Sequence, residues 1–242
     1  MLLKTSNLNK KIELDNKFIL ELRGFRNLII LMPGFAFDYR IFSFLDMPFN
    51  YLYPKSLVSI DTLYDLKLIL KDINKNFDNI YLFGWSLGAN LALLLYKDLP
   101  TMFKTLLLVS LRKSYKRDEI LEQILRLKAD PKNMLKEFYR RCFLGKKNFF
   151  IWFKQHIEHS YLSNFSKANL IRQLTYLESD KVNLFDIKTK IFLFYGKRDV
   201  IVPLSNIPKY PSKVKIFIFP YASHMPFLEA DFTEVLLRNL NH

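Results

Sequence analysis

The feature that most constrains this chain is a five-residue run, Gly84-Trp85-Ser86-Leu87-Gly88. It lies between an apolar run over Asn79–Phe83 that reads as a strand and a strongly apolar helical pattern over Leu87–Tyr96. A strand that turns straight into a helix at a serine forces that serine into a strained backbone conformation. The positions two before and two after must then carry almost no side chain. The chain has 6 glycines in all, and two of them fall at these places. Such a turn stands the Ser86 hydroxyl above the end of a sheet, with the free N–H groups and positive dipole of a helix start behind it.

The rest of the chain supplies a sheet for that turn. Phe18–Leu22, Leu28–Met32, Asn50–Tyr53, Thr105–Ser110, Lys190–Tyr195 and Val214–Pro220 read as further strands. Asp61–Phe77, with Asp61 as its N-cap, and Asp231–Leu240, with Asp231 as its cap, read as helices. Strand–helix alternation predicts an α/β class with a mainly parallel sheet and helices on both faces. From Leu111 to about Asn183 the character becomes helical, basic and aromatic, with no evident strand. The expected organisation is therefore a core of residues 1–110 and 184–242, with residues 111–183 inserted as a helical cap.

A serine hydroxyl needs a base beside it, and the chain has 4 histidines. His242 is the last residue, and His156 and His159 lie one turn apart on a helix of the inserted block, where a solvated face accounts for them. His224 follows the strand Val214–Pro220, at the sheet edge where ligands bind in such folds. Asp199 follows the strand Lys190–Tyr195 at the same edge, where a carboxylate can hold the imidazole tautomer. Developing negative charge needs two N–H donors. Leu87, directly after the serine, supplies one; Phe35, after the Pro33-Gly34 turn, supplies the other.

Composition limits the remaining classes. Half of the 242 residues are hydrophobic, which suits a globular fold. The lone cysteine, Cys142, excludes an internal disulfide and a Cys-rich zinc site, and no metal or cofactor is called for. Met1–Lys11 carries lysines without an apolar core, so no signal peptide is expected, and no apolar run is long enough to insert in a membrane. Cytoplasmic residence as a monomer is the expectation. Net charge is +14, and residues 112–154 hold 13 Lys and Arg against 5 Asp and Glu. This local excess favours an anionic partner over a uniform lysine-rich bias of composition. No nucleic-acid motif accompanies it, so nucleic acid is not the expected partner, and a non-catalytic basic binding protein is the remote alternative.

The order Ser86, Asp199, His224 is that of α/β-hydrolases. The Gly84–Gly88 run, the Gly-x-x-Asp-x-x-Val-Pro around Asp199 and the His-x-Pro-Phe at His224 resemble the pimeloyl-acyl-carrier-protein methyl ester esterases of biotin synthesis. That resemblance implies cleavage of a methyl ester on a carrier-bound pimeloyl chain, releasing methanol. It implies substrate contacts at Phe35, Ser86, Leu87 and His224, and in the cap at Phe138, Tyr139, Arg140, Arg141 and Cys142. It also implies an acidic acyl carrier protein docked on cap cations, for which Lys113, Lys116, Arg117, Lys136, Arg140, Arg141, Lys146 and Lys147 are the candidates. This chain has Pro33-Gly34 where the family has His-Gly, and Ala89 where a third glycine is usual. Both departures keep the N–H donors and leave a short-chain carboxylesterase, a thioesterase or a menaquinone-pathway lyase as alternatives.

Overall fold

The computed structural model describes residues 10–179 and 181–240. Most of the Met1–Lys11 stretch, expected to carry no signal peptide, and His242 fall outside the described residues. Eight strands form one sheet in the order β1-β2-β4-β3-β5-β6-β7-β8. They are β1 (Lys10–Leu14), β2 (Phe18–Leu22), β3 (Leu28–Met32), β4 (Asn50–Pro54), β5 (Ile80–Trp85), β6 (Thr105–Val109), β7 (Lys190–Gly196) and β8 (Lys215–Phe219). From β4 to β8 every pairing is parallel; β1 and β2 run antiparallel at one edge. The inner strands β3, β5 and β6 are buried along their whole length, as strands covered on both faces must be. Strand β1 escapes the sequence reading because Lys10-Lys-Ile-Glu-Leu is a mostly polar edge, whose partner β2 supplies its hydrogen bonds.

Helix α1 (Ile60–Ile73) is capped two residues earlier than expected. Ser59 is the N-cap, and Asp61 instead sits in the first turn, where its charge suits the helix dipole. Ser59 and Thr62 close a capping box: the Thr62 N–H donates to Ser59 Oγ at 3.3 Å, and the Ser59 N–H to Thr62 Oγ1 at 3.0 Å. The helix ends at Ile73 rather than Phe77, in a tight turn over Asn74–Asn76. Helix α2 (Leu87–Asp98) is buried over most of its length. Between β6 and β7 run five helices: α3 (Arg117–Ala129), α4 (Pro131–Cys142), α5 (Lys147–Phe153), α6 (His159–Asn164) and α7 (Lys167–Ser179). A bridge between Ser114 and Lys181 ties the two ends of this block together, and the Val182 N–H donates to the Lys113 carbonyl at 3.2 Å. Helix α8 (Phe232–Leu240) closes the fold.

The strand-to-helix turn at Ser86 fixes where α2 sits. Ser86 has φ 54° and ψ −119°, a conformation that L-residues rarely adopt. A Cβ on Gly84 would stand 2.5 Å from the Gly88 carbonyl oxygen, and one on Gly88 only 2.1 Å from the Met32 carbonyl oxygen. The turn therefore closes only because both positions are bare. Two substitutions should act in opposite directions. Gly88→Ala forces backbone against backbone and should cost about 3 kcal/mol or more. Ser86→Gly relieves strain and should raise stability by about 1 kcal/mol, or roughly 2–4 °C in Tm, while removing the hydroxyl. Thermal melts of the two variants check both signs.

Candidate active site

Ser86 is the N-cap of α2, yet its side chain makes no capping bond. A serine at this position normally spends its hydroxyl on the helix start; here the hydroxyl is left for other use. Its backbone is pinned instead, with the Ser86 N–H donating to the Val109 carbonyl at 2.8 Å. The side chain reaches a cavity of about 340 Å³ under the cap, lined among others by Phe35, Tyr115, Phe138, Arg141 and Ile201.

Asp199 and His224 meet beside it. Both are buried, at 5% and 0% exposure. His224 Nδ1 lies 2.8 Å from Asp199 Oδ2. The other carboxylate oxygen accepts the N–H groups of Ile201 and Val202, each at 2.8 Å. Burial pushes the Asp199 carboxyl up, but the His224 charge, its hydrogen bond and the two backbone donors outweigh burial, and the group is held below its ordinary value. The His224 backbone is anchored at the nucleophile's own strand end. The His224 carbonyl accepts both the Trp85 indole N–H at 2.8 Å and the Ser110 hydroxyl at 3.1 Å. His224 Nε2 is buried and makes no hydrogen bond. The Ser86–His224 bond that proton transfer requires is thus not formed in this conformation. Tyr115 lines the same cavity as Ser86, and its phenol is pushed up to about 12, chiefly by burial, and is therefore neutral.

The Pro33-Gly34-Phe35 loop passes directly over the serine. A Cβ on Gly34 would stand 3.3 Å from Ser86 Cβ and 3.2 Å from the Trp85 ring. No hydrogen bond engages the backbone N–H of Phe35 or of Leu87 among the described residues. Two donors beside the hydroxyl are therefore unspent, which is what stabilisation of a developing oxyanion needs.

The cap residues expected to touch substrate divide. Phe138 and Arg141 line the cavity, and the Phe138 ring packs edge-on to Phe35 at 5.3 Å. Tyr139 and Cys142 are fully buried and bind the core. The Tyr139 hydroxyl donates to the Ala36 carbonyl at 3.0 Å, and the Cys142 carbonyl accepts the Ser223 hydroxyl at 2.9 Å. Arg140 is on the surface. Among the docking candidates, Lys113, Lys116, Arg117, Lys136, Arg140, Arg141 and Lys147 are exposed. Lys146 is only 16% exposed and is paired with Glu229 at 2.7 Å, so its charge is spent within the chain. Outside the site, His156 stacks on Trp152, and its Nδ1 lies 2.8 Å from the Trp152 carbonyl. No cluster among the described residues could hold a metal ion, and no helix among them is long and apolar enough to cross a membrane. Tyr115 and Gln173 were not legible as site residues, because only the folding of the cap over the sheet edge brings them there.

Solved structures share this arrangement of strands and helices. MGS-M2, an α/β hydrolase from a Medee basin deep-sea metagenome library, superposes with a TM-score of 0.75 over 96% of this chain and 98% of its own, at 14% identity. The chain has the α/β-hydrolase fold. A thermophilic esterase from Thermogutta terrifontis is likewise similar, with a TM-score of 0.71 over 92% of this chain and 94% of its own, at 17% identity. By sequence, the pimeloyl-[acyl-carrier protein] methyl ester esterase of Wigglesworthia glossinidia brevipalpis is 34% identical over 174 residues. That match covers 62% of this chain and 65% of the relative, just under two thirds of the relative's length. No protein-family model matches the chain.

The lowered Asp199 carboxyl carries a pH signature. Its ionised form is favoured by folding, so its stabilising contribution is complete above the ordinary carboxylate range. That contribution is lost as pH falls through the lower folded-state value. The native chain should therefore lose stability on acidification from about pH 4 downward more steeply than Asp199→Asn does. Urea midpoints measured across that range check it.

Proposed function

We propose that the chain is a serine carboxylesterase that hydrolyses the methyl ester of a pimeloyl-acyl-carrier protein, in biotin synthesis. One observation carries the catalytic part. A buried Asp199–His224 pair at 2.8 Å lies beside a serine whose hydroxyl is not used in capping, with the Phe35 and Leu87 N–H groups unengaged next to it. The sequence likeness to the curated methyl ester esterase supports the substrate class.

In this reading the Ser86 hydroxyl turns to His224 Nε2, a buried nitrogen that makes no hydrogen bond at rest. His224 takes the hydroxyl proton as Ser86 Oγ attacks the ester carbonyl, and the N–H groups of Phe35 and Leu87 hold the oxyanion. His224 then gives the proton to the departing methoxide, releasing methanol. Water attacks the acyl-serine and loses a proton to His224, which returns it to Ser86 Oγ. Asp199 keeps the imidazole in the tautomer with its proton on Nδ1 and stabilises the imidazolium. No cofactor enters these steps.

The thioester that links the acyl chain to its carrier must survive. A carrier held outside the cap, with the acyl arm threaded inward past Phe138 and Phe35, keeps the thioester out of reach of Ser86. The exposed cations Lys113, Lys116, Arg117, Lys136, Arg140, Arg141 and Lys147 supply a surface for an acidic carrier. The protein acts as a cytoplasmic monomer in this reading.

A fluorophosphonate probe should label the native chain and fail on Ser86→Ala; absence of native labelling would overturn the hydrolase reading. The triple variant Lys136→Ala, Arg140→Ala, Lys147→Ala should lower kcat/KM on a carrier-bound methyl ester by about fivefold or more and flatten its salt dependence. Its rate on p-nitrophenyl butyrate should stay within about twofold, because electrostatic steering acts on the charged partner alone. Equal loss on both substrates would refute carrier docking. Faster turnover of thioesters than of methyl esters would favour the thioesterase alternative.

A further inference from the structure

We infer that Gln173, a cap residue, is a positioning residue that holds the oxyanion loop in register with Ser86. This inference rests on the hydrolase reading above and names the means by which the cap supports it.

Gln173 lies on α7, 137 positions from Ala36 in the chain, and is 4% exposed. Its Oε1 accepts the Ala36 N–H at 3.1 Å, and its Nε2 donates to the Val58 carbonyl at 2.8 Å. One end of the amide meets a donor and the other an acceptor, so only one orientation of the side chain satisfies both. Ala36 follows Phe35 directly, and its own conformation is strained: its φ is 57°, in the left-handed region that costs an alanine about 1–2 kcal/mol. A loop strained in this way keeps its shape only when the surroundings fix it. Gln173 grips the N–H of Ala36, and Tyr139 grips its carbonyl at 3.0 Å. Between them they fix the two peptide planes that directly follow the one bearing the Phe35 N–H, and so limit how that plane can turn.

Gln173 also lines a groove of about 540 Å³ shared with Val58 and Leu87, between α2, α7 and the start of α1. Its two bonds therefore join the Ala36 loop to the segment that leads into α1. Oxyanion donors work only within a few tenths of an ångström of the oxygen they serve. A cap that placed Gln173 differently would weaken the site without touching the triad.

The test uses the full-length chain with Gln173→Met, which keeps the volume and removes both polar ends. Amide hydrogen exchange at Ala36 should speed up by about tenfold or more as its acceptor is lost. On p-nitrophenyl butyrate, kcat should fall by about tenfold or more with KM within about twofold. Affinity for butylboronic acid, which forms a tetrahedral anion on a serine, should fall by the same factor as kcat/KM. Gln173→Glu keeps the fold testable if the methionine variant does not fold. A protonated glutamate can make both bonds, whereas an ionised one sets an oxygen against the Val58 carbonyl. Its activity relative to the native chain should therefore be best at the acid end and fall as pH rises. Unchanged Ala36 exchange with kcat within twofold, or a loss confined to KM, would overturn the inference. If the native chain neither hydrolyses esters nor takes the fluorophosphonate, the hydrolase reading fails on its own. The exchange measurement then still decides whether Gln173 holds the loop.

Discussion

Two backbone segments pass so closely at Ser86 that no side-chain atom fits between them. A Cβ at position 88 would overlap the Met32 carbonyl at the end of β3, and one at 84 would overlap the first turn of α2. This contact holds a helix start, a strained serine and the oxyanion loop within a few ångströms of one another. The strain at Ser86 costs about 1–3 kcal/mol. It is sustained by an inner sheet buried on both faces and by a hydrogen bond from the Ser86 N–H into β6. The catalytic geometry is thus a by-product of how β3, β5, β6 and α2 pack.

Around that point the polar groups are arranged by burial. Asp199 is acceptable inside the protein because its two oxygens receive three hydrogen bonds, two from backbone N–H groups and one from His224. Buried charges persist only when compensated in this manner. His224 Nε2 is the exception, a buried nitrogen without a partner. An unpaired polar atom is costly, and its place beside the Ser86 strand marks it as a group kept for a transient bond.

The cap is more than a roof. Its helices reach down to both halves of the machinery. Tyr139, Tyr161 and Gln173 bond the oxyanion loop at Ala36 and Asp38. On the other side, the Cys142 carbonyl, Arg141 and Lys146 bond Ser223, Val200 and Glu229 in the loops that carry the histidine and the aspartate. Of the exposed cations, Lys136, Arg140 and Arg141 lie on α4, the helix that bonds Ala36, Val200 and Ser223. A partner seated on them would press on elements already fastened to the site.

The amino-acid order alone gave the inner strands of the sheet, the glycine-flanked turn at Ser86, and Asp199 and His224 at neighbouring strand ends, where they meet at 2.8 Å. Buried parallel strands are continuous apolar runs, glycine spacing has one steric cause, and each of these three residues follows a recognisable strand. It did not give β1, whose alternating polar residues form a strand only because β2 pairs with them, nor the choice of Ser59 over Asp61 as helix cap, which the path of the backbone makes. Lys146 read as a surface cation until Glu229, 83 positions later, came to face it. Gln173 and Tyr115 had no local signal at all. Ser86, Asp199 and His224 are legible in short motifs because each sits at a strand end. The bonds that Gln173 makes to Ala36 and Val58 were decided by the packing of the cap on the core, which brings together positions more than a hundred residues apart.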